Sequence, residues 1–171
     1  TEGNMLKAAG LLCIVICGAG LGTGASAVLR KRIVICRSLR YFLQELGVMM
    51  RCTGDTLSSL IGGLAVSESC MSLSFLREAA AIMERGEPFP IAWKRSVSIS
   101  SGLTSEMKDM LLSLGDSLGT SDLAGQLMTL DRAEHELEVI YEKALEQYRT
   151  KGKLYRCLGV LGGMSAALLL C

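Results

Sequence analysis

Ile33-Val34-Ile35-Cys36-Arg37-Ser38-Leu39-Arg40-Tyr41-Phe42-Leu43-Gln44-Glu45-Leu46-Gly47-Val48-Met49-Met50 is the stretch that decides the fold class. Ile35, Leu39, Phe42, Leu46 and Met49 follow at spacings of 4, 3, 4 and 3, which on a helix makes one apolar stripe. A strand would need alternation with period two, and nothing in the middle of the chain alternates convincingly. Working outward, Arg51-Cys52-Thr53-Gly54-Asp55 interrupts the stripe, with Asp55 or Thr56 suited to cap a short helix to about Ala65. The next helix is expected from about Leu73 to Arg85, ended by Gly86. Pro88 and Pro90 mark a loop and a restart, Pro90 fitting a first helical turn. Ile91 to Ile99 carries Trp93, the single Trp of the chain. Ser100-Ser101-Gly102 breaks the chain again, and Thr104 to Leu118 forms a further helix.

After Gly119-Thr120-Ser121 the longest element begins. Leu123, Leu127, Leu130, Leu137, Tyr141, Ala144 and Tyr148 keep a near-heptad stripe that only Glu134 spoils. The helix would run for about 30 residues and about 45 Å, continuing toward the C-terminus. The fold class read from this pattern is all-α, an antiparallel bundle of about six helices flanked by N- and C-terminal membrane helices.

The flanks explain an odd composition. The chain has 171 residues, is 50% hydrophobic and 20% charged, and carries a net charge of +1 with a mean hydropathy of +0.38. That is one domain's length, with a charge content that excludes a disordered chain and a balance too even for a nucleic-acid binder. The charges are unevenly placed. Ala8 to Leu29 is a run of 22 residues without a charge, and Leu154 to Cys171 is a run of 18 holding only Arg156. A bilayer core of roughly 30 Å takes about 20 apolar helical residues, so the first run is long enough and the second is marginal. Short buried core helices are the alternative for both. A cleaved signal peptide, with Ala25-Ser26-Ala27 as its small-residue site, is the rival at the N-terminus.

The basic flanks argue for retained membrane helices. Arg30, Lys31, Arg32, Arg37 and Arg40 follow the first run, and Arg149, Lys151, Lys153 and Arg156 precede or enter the second. No acidic residue interrupts either group. Positive charge marks the cytoplasmic side, so the middle is expected inside and both termini outside. The division is then 5–29, an N-terminal transmembrane helix; 30–153, a cytoplasmic helical domain; and 154–171, a C-terminal membrane segment. Thr1 to Asn4, ahead of Met5, reads as residual sequence or a mis-assigned start. Gly18 with Gly22, Gly20 with Gly24 and Gly159 with Gly163 are GxxxG pairs, spacing that lets helices approach closely in lipid. Contact within the chain or between copies, a homo-oligomer, follows.

Motifs for chemistry are scarce. Gly115-Asp116-Ser117-Leu118 spells a hydrolase motif, but that chemistry needs a nucleophilic Ser on an α/β scaffold with a His and an acid. Ser117 lies in a helical pattern, and the one His, His135, lacks the Asp-x-x-His setting. His135-Glu136 begins a zincin-like pattern whose second His position is Val139. Seven Cys are scattered without a CxxC, and there is no phosphate-binding GxxxxGK[ST] loop. No enzyme, cofactor, metal, nucleic acid or small-molecule substrate is expected. Glu134, Glu136, Glu138, Glu142 and Glu146 make an acidic helix face, ordinarily just solvated, otherwise a seat for a basic partner.

Leu114-Gly115-Asp116-Ser117-Leu118-Gly119-Thr120-Ser121-Asp122-Leu123-Ala124-Gly125-Gln126 reads as L/F-G-x-x-L-G-x-x-D-x-x-x-Q. With Lys153-x-x-x-x-Leu158-Gly159-x-Leu161-Gly162-Gly163 and Ala92-Trp93, it resembles the stage III sporulation protein AB family over Met5 to Cys171. The first half departs from that family at Met49, Cys52 and Asp55-Thr56. The resemblance implies a mother-cell component of a channel to the engulfed forespore, sited in the outer forespore membrane. It further implies similarity to the inner-membrane platforms of type II secretion and type IV pilus machines. The implied partners are a secretion-type ATPase, stage III sporulation protein AA, other channel components and membrane lipid.

Within the motif, Gly115 and Gly119 allow close backbone approach, Asp122 or Ser121 would cap the long helix, and Gln126 lies one turn on. Leu118 completes the motif. Two readings stay open: the motif only shapes the helix–turn–helix, or its turn docks the ATPase. The alternative function is a membrane-anchored helical adaptor or regulator outside any secretion machine.

Overall fold

The structure, a computed structural model, describes the backbone of residues 2–118, 120 and 122–170, and the side chains of 27–118, 120 and 122–150. Six α-helices and one short 3-10 turn make it up: α1 Glu2–Cys52, α2 Leu57–Ala65, the turn Glu68–Cys70, α3 Ser74–Glu84, α4 Phe89–Ile99, α5 Ser105–Ser117 and α6 Leu123–Leu170. The described residues contain no strand. The all-α reading therefore stands.

The caps follow the chemistry expected of them. Thr56 accepts a hydrogen bond from the Ser59 N–H, so Thr56 and not Asp55 starts α2. Thr104 does the same for α5 through Met107. Gly86 takes a positive φ of 94° just past α3, a conformation cheap only for glycine. Pro90 sits in the first turn of α4, where its missing N–H costs nothing.

The chain divides into two compact units, residues 32–142 and a second unit of 1–31 with 143–171. The first unit holds the aromatic and aliphatic core. Leu39, Phe42, Leu43 and Leu46 on α1, Leu76 on α3, Trp93 on α4 and Leu111 on α5 are all fully buried there. At its centre all three Phe of the chain surround the single Trp. The Trp93 ring lies 6.0 Å from Phe42, 5.4 Å from Phe75 and 5.4 Å from Phe89 by centroid, mixing stacked, edge-on and tilted packing. Helices α2, α3, α4 and α5 pack successively on one another.

Within this unit α1 and α6 run antiparallel. Arg40 pairs with Glu138 and lies 5.4 Å over the Tyr141 ring, while seven residues on, Gly47 faces Leu130, earlier in α6. An exposed pair of this kind contributes about 0–1 kcal/mol, so it sets register more than it holds the helices together. The apolar seam does the latter. It consists of Leu130, Ala133, Leu137 and Ile140 on α6, all buried. This corrects the stripe expected from sequence: Leu123 is 50% exposed, and Ala133 and Ile140 take core positions.

At the ends of the unit, α1 is one helix from Glu2 to Cys52, so the apolar N-terminal run and the 33–50 stripe share one element. The long helix α6 continues to Leu170, in line with its expected extension toward the C-terminus. The expected membrane spans 5–29 and 154–171, and the glycine pairs at 18/22, 20/24 and 159/163, fall outside the residues whose side chains are described, 27–29 excepted. Among the described residues no helix is long and apolar enough to cross a membrane. Of the flanking basic residues, Arg30, Lys31 and Arg149 are exposed and Arg32 is half-buried. Lys151, Lys153 and Arg156 lie outside the described side chains.

Candidate functional site

The motif from Leu114 to Gln126 divides into a buried half and an outward half. In the buried half, Leu114, Gly115 and Leu118 are all inaccessible. Gly115 lies directly beneath the Trp93 indole: a Cβ built there would be 2.5 Å from Nε1 and in collision with the ring. The same indole N–H donates a 2.7 Å hydrogen bond to the Leu111 carbonyl, one turn before Gly115 on α5. A buried indole N–H needs such an acceptor, because an unpaired one costs about 1–3 kcal/mol. The sequence indicated close approach at Gly115. What approaches it, the Trp93 side chain, was not legible from spacing.

The outward half starts α6. Asp122 is exposed and its Oδ1 accepts from the Gly125 N–H at 3.1 Å, the expected N-cap. Thr120 donates back to the carbonyls of Asp116 and Ser117, closing the end of α5. That helix stops with Leu118 in an extended conformation, φ −68° and ψ 126°. Gly119 and Ser121 lie outside the described residues.

Gln126 lines a shallow cleft of about 360 Å³ together with Met50, Gly54, Asp55, Leu57, Leu60 and Leu123. Its walls come from the end of α1, the start of α2 and the start of α6. Gly54 takes a positive φ of 62°, the conformation that turns the chain from α1 toward α2 and shapes one wall. Apolar Met50, Leu57, Leu60 and Leu123 form the floor and sides, while Asp55 and Gln126 supply polar groups. Such a mixed, open surface suits a protein partner better than a small molecule, which generally wants an enclosed pocket. Sequence reasoning identified Asp122 and Gln126 but missed the 50–60 contribution, which only the tertiary packing brings alongside.

The residues considered for other chemistry sit in ordinary settings. The Ser117 hydroxyl donates to the Ser113 carbonyl of its own helix. His135 is exposed on α6. Among the described residues no group of three His, Cys, Asp or Glu side chains is placed to hold a metal. Cys36 is buried, and that burial pushes its thiol up to about 11 despite Arg32 and Arg40 nearby. Burial likewise raises Cys70, with Glu45 adding to the effect, whereas Cys52 is exposed.

These features define an all-helical bundle whose one end carries a mixed apolar and polar cleft beside a capped turn. A family model described as stage III sporulation protein AB matches residues 7–171, and the chain belongs to that family. A solved structure of a stage III sporulation protein AB shares the fold, with a TM-score of 0.55 and 20% identity. The alignment covers 69% of this chain and 96% of that one. No curated protein matches the chain. The family makes it a sporulation-associated protein.

Proposed function

We propose that this chain is a non-enzymatic platform component of the channel between mother cell and forespore. In this reading both terminal segments anchor it in the outer forespore membrane, and the 30–153 domain faces the mother-cell cytoplasm. It holds a secretion-type ATPase, expected to be stage III sporulation protein AA, at the cleft lined by Asp55, Leu57, Leu123 and Gln126. The observation that carries the reading is the division of the Leu114–Gln126 motif. Its first half is locked against Trp93, which makes a rigid base; its second half faces outward beside an open apolar cleft. A motif that only shaped the turn would need no such cleft. The basic residues beside both apolar runs, with no acidic residue among them along the sequence, support the orientation. Nucleotide chemistry is left to the separate ATPase chain.

Co-purification from membranes of sporulating cells tests this, with and without nucleotide. The ATPase is expected to be retained by the wild-type chain and lost with Gln126→Arg. Absence of the ATPase from wild-type eluates under both conditions would remove the platform reading in favour of an adaptor outside any secretion machine.

A further inference from the structure

The outward surfaces of α1 and α6 are unlike each other in charge and alike in carrying exposed apolar side chains. On α1, Val34, Tyr41 and Val48 recur every seven residues on the side opposite the buried Leu39, Leu43 and Leu46. Tyr41 is 54% and Val48 50% exposed. Between Arg32 and Cys52 the helix has four Arg against one Glu. On α6, Met128 (75% exposed), His135 and Val139 occupy the side opposite Ala133, Leu137 and Ile140. Between Leu123 and Glu142 that helix has one Asp and four Glu against Arg132. The Arg40–Glu138 pair takes one charge from each.

The two faces adjoin. A groove of about 290 Å³ runs between them, walled by Gln44, Val48 and Arg51 on α1 and by Leu127, Asp131 and Glu134 on α6. Gly47, with no side chain to fill it, lies in its lining. A second depression shares Asp131 and Glu134 and continues to Met128 and His135. The chain thus presents a basic helix and an acidic helix side by side, each with an apolar ridge.

We propose that a second copy of this chain covers this face, with α1 of each copy seated on α6 of the other. Of the two ways to lay one antiparallel helix pair on another by a two-fold axis in the interface, charge selects one. An axis across the helices would set α1 on α1 and α6 on α6, like charge on like. An axis along the helices sets basic α1 on acidic α6 in both contacts, antiparallel, as an isologous dimer requires. Val34, Tyr41 and Val48 then pack against Met128 and Val139, which gives the charges a water-poor centre. The proposal goes beyond the ATPase reading and does not depend on it.

Charge exchange on the full-length chain in detergent tests it. One variant carries Arg37→Glu with Arg51→Glu; the other carries Asp131→Lys with Glu142→Lys. Each alone is expected to self-associate at least about tenfold more weakly than wild type in sedimentation equilibrium at low salt. An equimolar mixture regains wild-type association, since each altered helix then meets an opposite charge twice. Self-association of either variant at wild-type strength overturns the proposal, because contact then runs through another surface. A monomeric wild-type chain, or a mixture no stronger than its parts, also overturns it. A second measurement places a photoreactive benzoylphenylalanine at Tyr41 and mixes isotopically light and heavy copies. Cross-links from Tyr41 to 123–142 of the other copy are expected; cross-links to α1 of the other copy would contradict the pairing.

Discussion

Trp93 occupies the space that any side chain on Gly115 would need. A Cβ at 115 would stand 2.5 Å from the indole Nε1, and the same nitrogen is held 2.7 Å from the Leu111 carbonyl. The ring cannot withdraw without giving up that hydrogen bond and its packing on Phe42, Phe75 and Phe89. One glycine therefore fixes how closely α4 approaches α5.

Gly115→Ala is accordingly expected to destabilise the chain by about 1–3 kcal/mol, the range for overpacking a filled core. Greater intrinsic helix propensity of Ala offsets under about 1 kcal/mol of this. Urea unfolding followed by fluorescence measures it directly, because Trp93 is the only indole. A stability equal to or above wild type would show that the ring moves freely.

Trp93 itself can be dissected. Trp93→Phe removes the indole N–H and leaves the Leu111 carbonyl with its helical partner, at an expected cost of about 1–3 kcal/mol. Trp93→Ala empties the centre of the aromatic cluster and is expected to cost about 3–5 kcal/mol. Circular-dichroism melts order the variants as wild type, Phe, Ala. Equal melting of the two substitutions would mean that the cluster packs no more tightly than a surface site.

Asp122 has separable roles as a helix cap and as a charge. Asp122→Ala is expected to lose about 1 kcal/mol by freeing the Gly125 N–H, while Asp122→Asn keeps the cap and most of the stability. Thermal denaturation of the pair checks this. If Asn and Ala destabilise alike, the side chain acts through its charge at the helix end and not through the hydrogen bond.

Cys36 gives a pH signature. Its folded thiol is raised to about 11 from an ordinary 9.0, so the folded state holds a proton that the unfolded state releases first. The stability tied to this group is complete below pH 9 and falls as pH rises from about 9 toward 11. Cys36→Ala is expected to flatten that decline relative to wild type, read from unfolding midpoints across the range. At neutral pH, peptide mapping after maleimide treatment is expected to find Cys52 modified, and Cys36 and Cys70 spared until denaturant is added. Prompt modification of Cys36 would contradict its burial.

Helix periods and caps were legible in the sequence because they are local. Thr56, Gly86, Pro90 and Asp122 all act within one turn of themselves. The face of α6 was less so: Glu134 interrupted one apolar stripe, and the alternative through Ala133 and Ile140 emerges only when α1 packs alongside. The 3-10 turn at Glu68–Cys70 carried no periodic signal at all, being three residues long. Half of the candidate site was visible, since Asp122 and Gln126 lie in one motif. The other half, from Met50 to Leu60, is more than 60 residues away in sequence and reaches the cleft through tertiary packing alone.

In the platform proposal the bundle's rigid base and its outward cleft do different work. Titrating the ATPase onto the full-length chain in lipid nanodiscs, with wild type against a double variant of two exposed cleft residues, Asp55→Lys/Leu123→Glu, separates the two roles. Saturable binding to wild type is expected, with binding weaker by at least about tenfold in the variant, which is about 1.4 kcal/mol. The variant's melting temperature stays close to that of wild type. Equal binding by both chains, at equal stability, would contradict it.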